Sequence, residues 1–138
     1  MPTKFEKIEF VSEGAVLRGR LYRPSNVTGD VPVVIMAHGF SVLAAYLDDF
    51  ATDFAQAGFA VLVFDHRNFG ESDGTPRYGF DNLLQIRGYR DAISFVFSQR
   101  GIDKQKIAVW GESATSLEAI RIFRGSRQTL WRYYRIRV

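Results

Sequence analysis

Lys106-Ile107-Ala108-Val109-Trp110-Gly111-Glu112-Ser113-Ala114-Thr115 is an apolar strand that runs into Gly-x-Ser-x-small, the pattern that sets a serine on a sharp strand-to-helix turn. Such a turn exposes the serine Oγ, so Ser113 is the candidate nucleophile for acyl transfer. Downstream of Ser113 the sequence holds no His and one acid, Glu118. The residues that commonly activate such a serine are therefore not found there.

Two further apolar runs lie upstream. VPVVIMAHGF, from Val31 to Phe40, is continuous and ends in His-Gly, as expected for a strand buried on both faces of a parallel sheet. Phe59 to Phe64 is the second such strand, and the polar stretch Asp65 to Tyr78, rich in Gly, is a long loop at its C-terminal end. Between the two, Leu47, Phe50, Ala51, Phe54 and Ala55 follow the i, i+3, i+4 stripe of a helix that buries one face, and Gly58 ends it. These aromatics read as core. Leu83, Ile86, Tyr89, Ile93, Val96 and Phe97 predict a longer helix from about Asp81 to Gln99, interrupted by Gly88 and stopped by Gly101. Strand, helix, strand, helix, strand is the pattern of a parallel sheet with right-handed crossovers. In front of it, Lys7 to Val11 and Ala15 to Tyr22 alternate apolar and polar residues around Ser12-Glu13-Gly14, which predicts an antiparallel hairpin. Sites in such sheets lie at the carboxyl ends of the strands, where His38-Gly39-Phe40, Asp65-His66 and Gly111-Glu112-Ser113 all fall.

Composition narrows the function classes. The 138 residues are 46% apolar, enough for one modest core, and contain no cysteine, so a disulfide framework, a thiolate zinc site and a cysteine nucleophile are all excluded. No metal cluster, phosphate loop or dinucleotide motif is present, and no cofactor is expected. The N-terminal segment MPTKFEKIEFVSEG mixes charges with single apolar residues, and no run approaches a membrane span, so a cytoplasmic chain without a membrane partner is expected. Asn26-Val27-Thr28 matches the glycosylation pattern but, without an export signal, reads as a polar turn.

Charge is unevenly placed. Residues 1 to 120 carry 12 basic and 15 acidic side chains, whereas 121 to 138 carry six Arg and no acid. This divides the chain into a body, 1–120, and an atypical Arg-rich tail, 121–138. The tail reads either as an anion-binding extension or, preferably, as sequence from a changed reading frame or retained intron. The alternation in Tyr134-Arg135-Ile136-Arg137-Val138 would also suit an edge strand. Otherwise an apolar strand edge stays exposed, inviting self-association.

From Lys7 to about Ile120 the order of hairpin, His-Gly strand end, strand with an Asp-x-Arg-x-x-Gly-x-Ser loop (Asp65 to Ser72) and serine turn resembles the α/β-hydrolase superfamily. The stretches GFAVLVFDHRNFGESDGTPR and RGYRDAISFV are similar to a branch of esterase-like and peptidase-like hydrolases that includes fungal polyketide transferases. The resemblance covers most of this chain but only about the first half of the family's domain. It implies a three-layer α/β/α hydrolase-type sheet, mostly parallel with an N-terminal antiparallel hairpin, truncated at its C-terminus. It also implies that Ser113 attacks a small-molecule acyl substrate while the backbone amides of Ala114 and Phe40 form the oxyanion hole. Loss of one such donor typically costs about 3 kcal/mol of transition-state stabilisation. By the same resemblance His38 is a structural residue of the oxyanion loop rather than a base, and Asp65, Gly70 and Ser72 are scaffold. His66 and Glu112 read as structural or solvated. Thr115 departs from the pattern, standing where the family usually has Gly.

Two functional classes follow. One is a serine hydrolase or acyltransferase acting on an ester, thioester or amide, impaired here by the missing acid and histidine. The other is a non-catalytic, truncated hydrolase-like protein or a partner-binding half-domain. Nucleic-acid binding through the Arg-rich end, with Trp131, Tyr133 and Tyr134 nearby, is the weakest reading.

Overall fold

A computed structural model of the chain describes residues 4–39 and 43–111. Its elements are β1 (Phe5–Ser12), β2 (Ala15–Tyr22), β3 (Val31–Ala37), a short 3-10 turn (Ala44–Leu47), α1 (Asp48–Gln56), β4 (Ala60–Phe64), α2 (Asn82–Phe97) and β5 (Ile102–Gly111). They build the mixed α/β sheet expected, in the order β1-β2-β4-β3-β5. β3 pairs in parallel with β4 on one side and β5 on the other, and the antiparallel hairpin β1-β2 joins through β2 to β4. Among the described residues no helix is long and apolar enough to cross a membrane.

The hairpin turn is tighter than the sequence suggested. Ser12 pairs with Ala15, leaving only Glu13 and Gly14 as the connection, both with positive φ (46° and 77°). Two left-handed residues give the turn whose twist matches that of the flanking strands, so the hairpin is held in one register.

Side-chain alternation along the central strands sends consecutive residues to opposite layers. Val33, Ile35, Leu62, Phe64, Ile107 and Val109 pack with Ile86, Tyr89, Ala92 and Val96 of α2. Val34, Met36, Val61 and Val63 pack with Leu47, Ala51 and Ala55 on the α1 side. Both faces of β3 and β4 are thus dry, which is why those strands are unbroken apolar runs. Gly88 is where α2 crosses the sheet: a Cβ there would come within 3.3 Å of the Leu17 side chain. Asp81 starts α2, its carboxylate accepting from the Leu84 N–H at 3.0 Å.

Three expectations need correction. Phe50 is not core: it is 40% exposed and tilts against Trp110 of the outermost described strand, 5.9 Å between ring centres. Leu83 is 57% exposed, and the buried side chains of α2 begin only at Gln85. β5 begins at Ile102 rather than Lys106. Ile102 pairs with Val31, the register then shifts, and regular pairing resumes at Val33 with Ile107, so the polar run from Lys104 to Lys106 is left on the surface within the strand.

Candidate active site

The register of β3 with both neighbours brings three strand ends level. Ala37 pairs with Phe64 of β4 and with Gly111 of β5, so the chain leaves all three strands at one height. His38-Gly39 and Asp65-His66 stand there as expected. Ser113, Ala114 and Phe40, and with them Glu112, Thr115 and the tail 121–138, lie outside the described residues.

At this height the described side chains form a buried hydrogen-bonded platform. The His66 N–H donates to His38 Nε2 at 3.0 Å, while His38 Nδ1 lies 2.8 Å from the Gly39 carbonyl oxygen. A neutral imidazole carries one proton. With Nε2 accepting, that proton is on Nδ1 and is donated to Gly39. Burial pushes the His38 pKa below its ordinary value, opposed by the Gly39 carbonyl and by the Asp65 carboxylate, whose Oδ1 is 3.8 Å from Nε2. His66 is held well below its ordinary value, first by burial and then by the neighbouring His38. Its ring lies edge-on to His38, Phe64 and Tyr89.

Asp65 organises the two loops that flank the platform. Oδ1 accepts from the Ala44 N–H at 2.8 Å, at the entry to the 3-10 turn, and Oδ2 accepts from the Glu71 N–H at 3.1 Å. One carboxylate therefore ties the segment after the His-Gly strand end to the loop after β4. Gly70 is required beneath it. Its φ is +53°, and a Cβ there would lie 2.4 Å from the Asp65 carboxylate. Ser72 Oγ donates to the Asp65 carbonyl at 2.6 Å and accepts from the Arg18 N–H at 2.8 Å. The scaffold reading of Asp65, Gly70 and Ser72 agrees with these contacts.

Several contributors were not anticipated from the sequence. Arg77 donates to the carbonyls of Gly70, Ser72 and Gly74, filling the loop from within. Arg18 of β2 reaches the Glu71 carbonyl and Asp73. Arg20 and the Tyr22 hydroxyl both bind the Asp48 carboxylate, tying β2 to the start of α1. Burial, and then Asp48, push the Tyr22 pKa up to about 12. The hydroxyl of Tyr89, wholly buried in α2, donates to the Trp110 carbonyl at 3.0 Å and so fixes the end of β5. An alternating strand pattern or helical stripe carries no mark of these polar links, since each joins elements far apart in sequence.

A cleft of about 410 Å³ opens beside the platform between Leu43 and Tyr78, with Arg20, Glu71 and Arg77 in its wall. Among the described residues no group of three or more His, Cys, Asp or Glu is placed to hold a metal ion.

Comparison with known proteins gives a consistent picture. Residues 30–130 match the protein family described as serine aminopeptidase, S33. The chain is 40% identical over 118 residues to thiohydrolase aneE of Aspergillus aculeatus, which covers 84% of this chain and 36% of that protein. It is 39% identical over 129 residues to polyketide transferase claH of Penicillium crustosum, covering 89% of this chain and 42% of that one. Among solved structures, the α/β hydrolase GrgF from a Penicillium species superposes with a TM-score of 0.83 at 28% identity, over 90% of this chain and 43% of GrgF. The chain thus spans well under half the length of each of these relatives.

Proposed function

The chain belongs to the α/β-hydrolase superfamily, in the serine aminopeptidase S33 family, and from that membership we propose that its chemistry is acyl transfer through Ser113. The carrying observation is the level row of Ala37, Phe64 and Gly111. Two residues beyond Gly111 the sequence has Ser113, and three beyond Ala37 it has Phe40, so the described approaches to both begin at one level of the sheet. Ser113 Oγ attacks the acyl carbonyl, and the amides of Ala114 and Phe40 receive the developing oxyanion. An alkoxide, thiolate or amine leaves, and the acyl group passes from Ser113 to water or to another acceptor. The names of the relatives favour a thioester or a polyketide acyl group among the ester, thioester and amide substrates this chemistry admits.

The step needs a base, and the described histidines do not offer one. Both ring nitrogens of His38 are committed, and His66 is wholly buried. Within these 138 residues Ser113 is followed by no His. Where such a base is missing, the oxyanion donors and binding alone typically supply ~10³–10⁴-fold over water. The test is covalent labelling of the full chain by a fluorophosphonate probe, with the adduct located by mass spectrometry. Labelling on Ser113, lost in Ser113→Ala, is expected. A folded chain that takes no label would sink the proposal.

A second reading is a non-catalytic, partner-binding chain. It is favoured by β5, whose outer edge has no paired strand among the described residues. Concentration-dependent self-association without turnover would support it.

A further inference from the structure

The cleft beside the platform lies apart from the strand that leads to Ser113. Gly19 and Arg20 of β2 line it, and β2 stands three strand spacings, about 14 Å, from β5 in the order of the sheet. Its volume of about 410 Å³ falls within the roughly 300–1,000 Å³ of small-molecule pockets. Two large side chains that line it face water, Leu43 at 44% exposure and Tyr78 at 74%. Tyr78 also has φ +65°, a left-handed conformation that is costly for a bulky residue. Its N–H, donated to the Asn68 carbonyl at 2.9 Å, and the ring of Phe69, edge-on at 6.0 Å, hold it there. Strain of this kind persists where the surroundings over-determine it, as they do at ligand clamps.

Charge in the cleft wall is only partly matched. Arg20 is paired with Asp48, and the Asp65 carboxylate is turned onto the amides of Ala44 and Glu71. The Arg77 guanidinium instead donates to three neutral carbonyls, those of Gly70, Ser72 and Gly74, which fix its plane without cancelling its charge. Three of its five N–H groups are used in this way, and two remain to meet a ligand. Glu71 stands in the same wall, so a monoanion suits the cleft better than a phosphate dianion. We infer that this cleft binds a monocarboxylate with an apolar body, its carboxylate on Arg77 and its body against Leu43 and Tyr78.

The experiment is an amide NMR titration of the full chain with octanoate, and with octanamide and octyl phosphate beside it. Octanoate is expected to shift the amides of Leu43, Ala44, Gly70 and Tyr78 with a Kd of ~1 mM, the scale of a ligand of this size. Octanamide should bind about 10-fold more weakly, for want of the charge. No shifts at these residues, or equal affinity for octanamide, would overturn the inference, and tighter binding of octyl phosphate would overturn the choice of a carboxylate. Tyr78→Gly removes the ring and suits the positive φ, so affinity should fall about 10-fold while the urea midpoint is no lower. Undiminished binding would overturn the part given to Tyr78. Substituting Arg77 would strip the loop of its brace, so Glu71→Gln tests the charge instead. It should tighten octanoate about threefold by removing the opposing carboxylate; unchanged or weaker binding would refute the part given to Arg77. None of these readouts involves Ser113, so the cleft and the acyl-transfer proposal stand or fall separately.

Discussion

The main-chain N–H of His66, just beyond β4, donates to the ring Nε2 of His38, just beyond β3, at 3.0 Å. This bond makes a neutral His38 a condition of the folded platform. Burial also keeps His66 neutral. In the unfolded chain each imidazole takes a proton near its ordinary value of 6.5, while in the fold each does so only at lower pH. The unfolded state thus binds more protons below about pH 6.5, so this stability is complete above that value and is lost as pH falls toward the folded values. The slope reaches ~1.4 kcal/mol per pH unit for each imidazole. Urea denaturation at several pH values between about 7.5 and 5 checks it. A flat profile over that range would refute the linkage.

Tyr22 provides a second titration. Its pKa of about 12 is due first to burial and then to the Asp48 carboxylate it binds. Asp48→Asn is expected to lower the phenol midpoint, since burial, which raises it, is then opposed by the Arg20 guanidinium. Ultraviolet difference titration reads it against a Tyr22→Phe control. No movement would mean that Asp48 has no part in the shift.

Gly70→Ala tests the support beneath Asp65. The added methyl meets the Asp65 carboxylate and the backbone must keep a positive φ. A loss of about 3 kcal/mol is expected, read as a lower denaturation midpoint. A change under about 0.5 kcal/mol, the usual scale of an inconsequential surface substitution, would show that the loop gives way easily.

Tyr89→Phe removes one hydroxyl and keeps a ring that packs against Phe64. The Trp110 carbonyl loses its donor, at a cost of about 1 kcal/mol. Amide hydrogen exchange should speed up locally at the C-terminal end of β5. Unchanged exchange there would show that the hydroxyl does not restrain the strand.

The sheet was legible because β3 and β4 are apolar on both faces, which only a strand covered from two sides requires. The His-Gly end was legible as a short motif, and the paired ends Ala37, Phe64 and Gly111 bring it level with the strand that leads to the expected serine turn. Phe50 shows where periodicity stops: it lies on the helical stripe, but its exposure depends on what covers strand β5, which no local pattern encodes. The Arg18, Arg77 and Asp48 contacts were illegible for another reason. A charged residue in a strand or loop reads as solvated unless its distant partner is known.

The loop from His66 to Gly79 is secured by hydrogen bonds to Ser12, Glu13, Val16, Arg18, His38 and its own backbone. All of these partners precede residue 80. These bonds therefore draw on no part of the sequence after Gly79. The proposed nucleophile, Ser113, comes later in the sequence than every one of these partners.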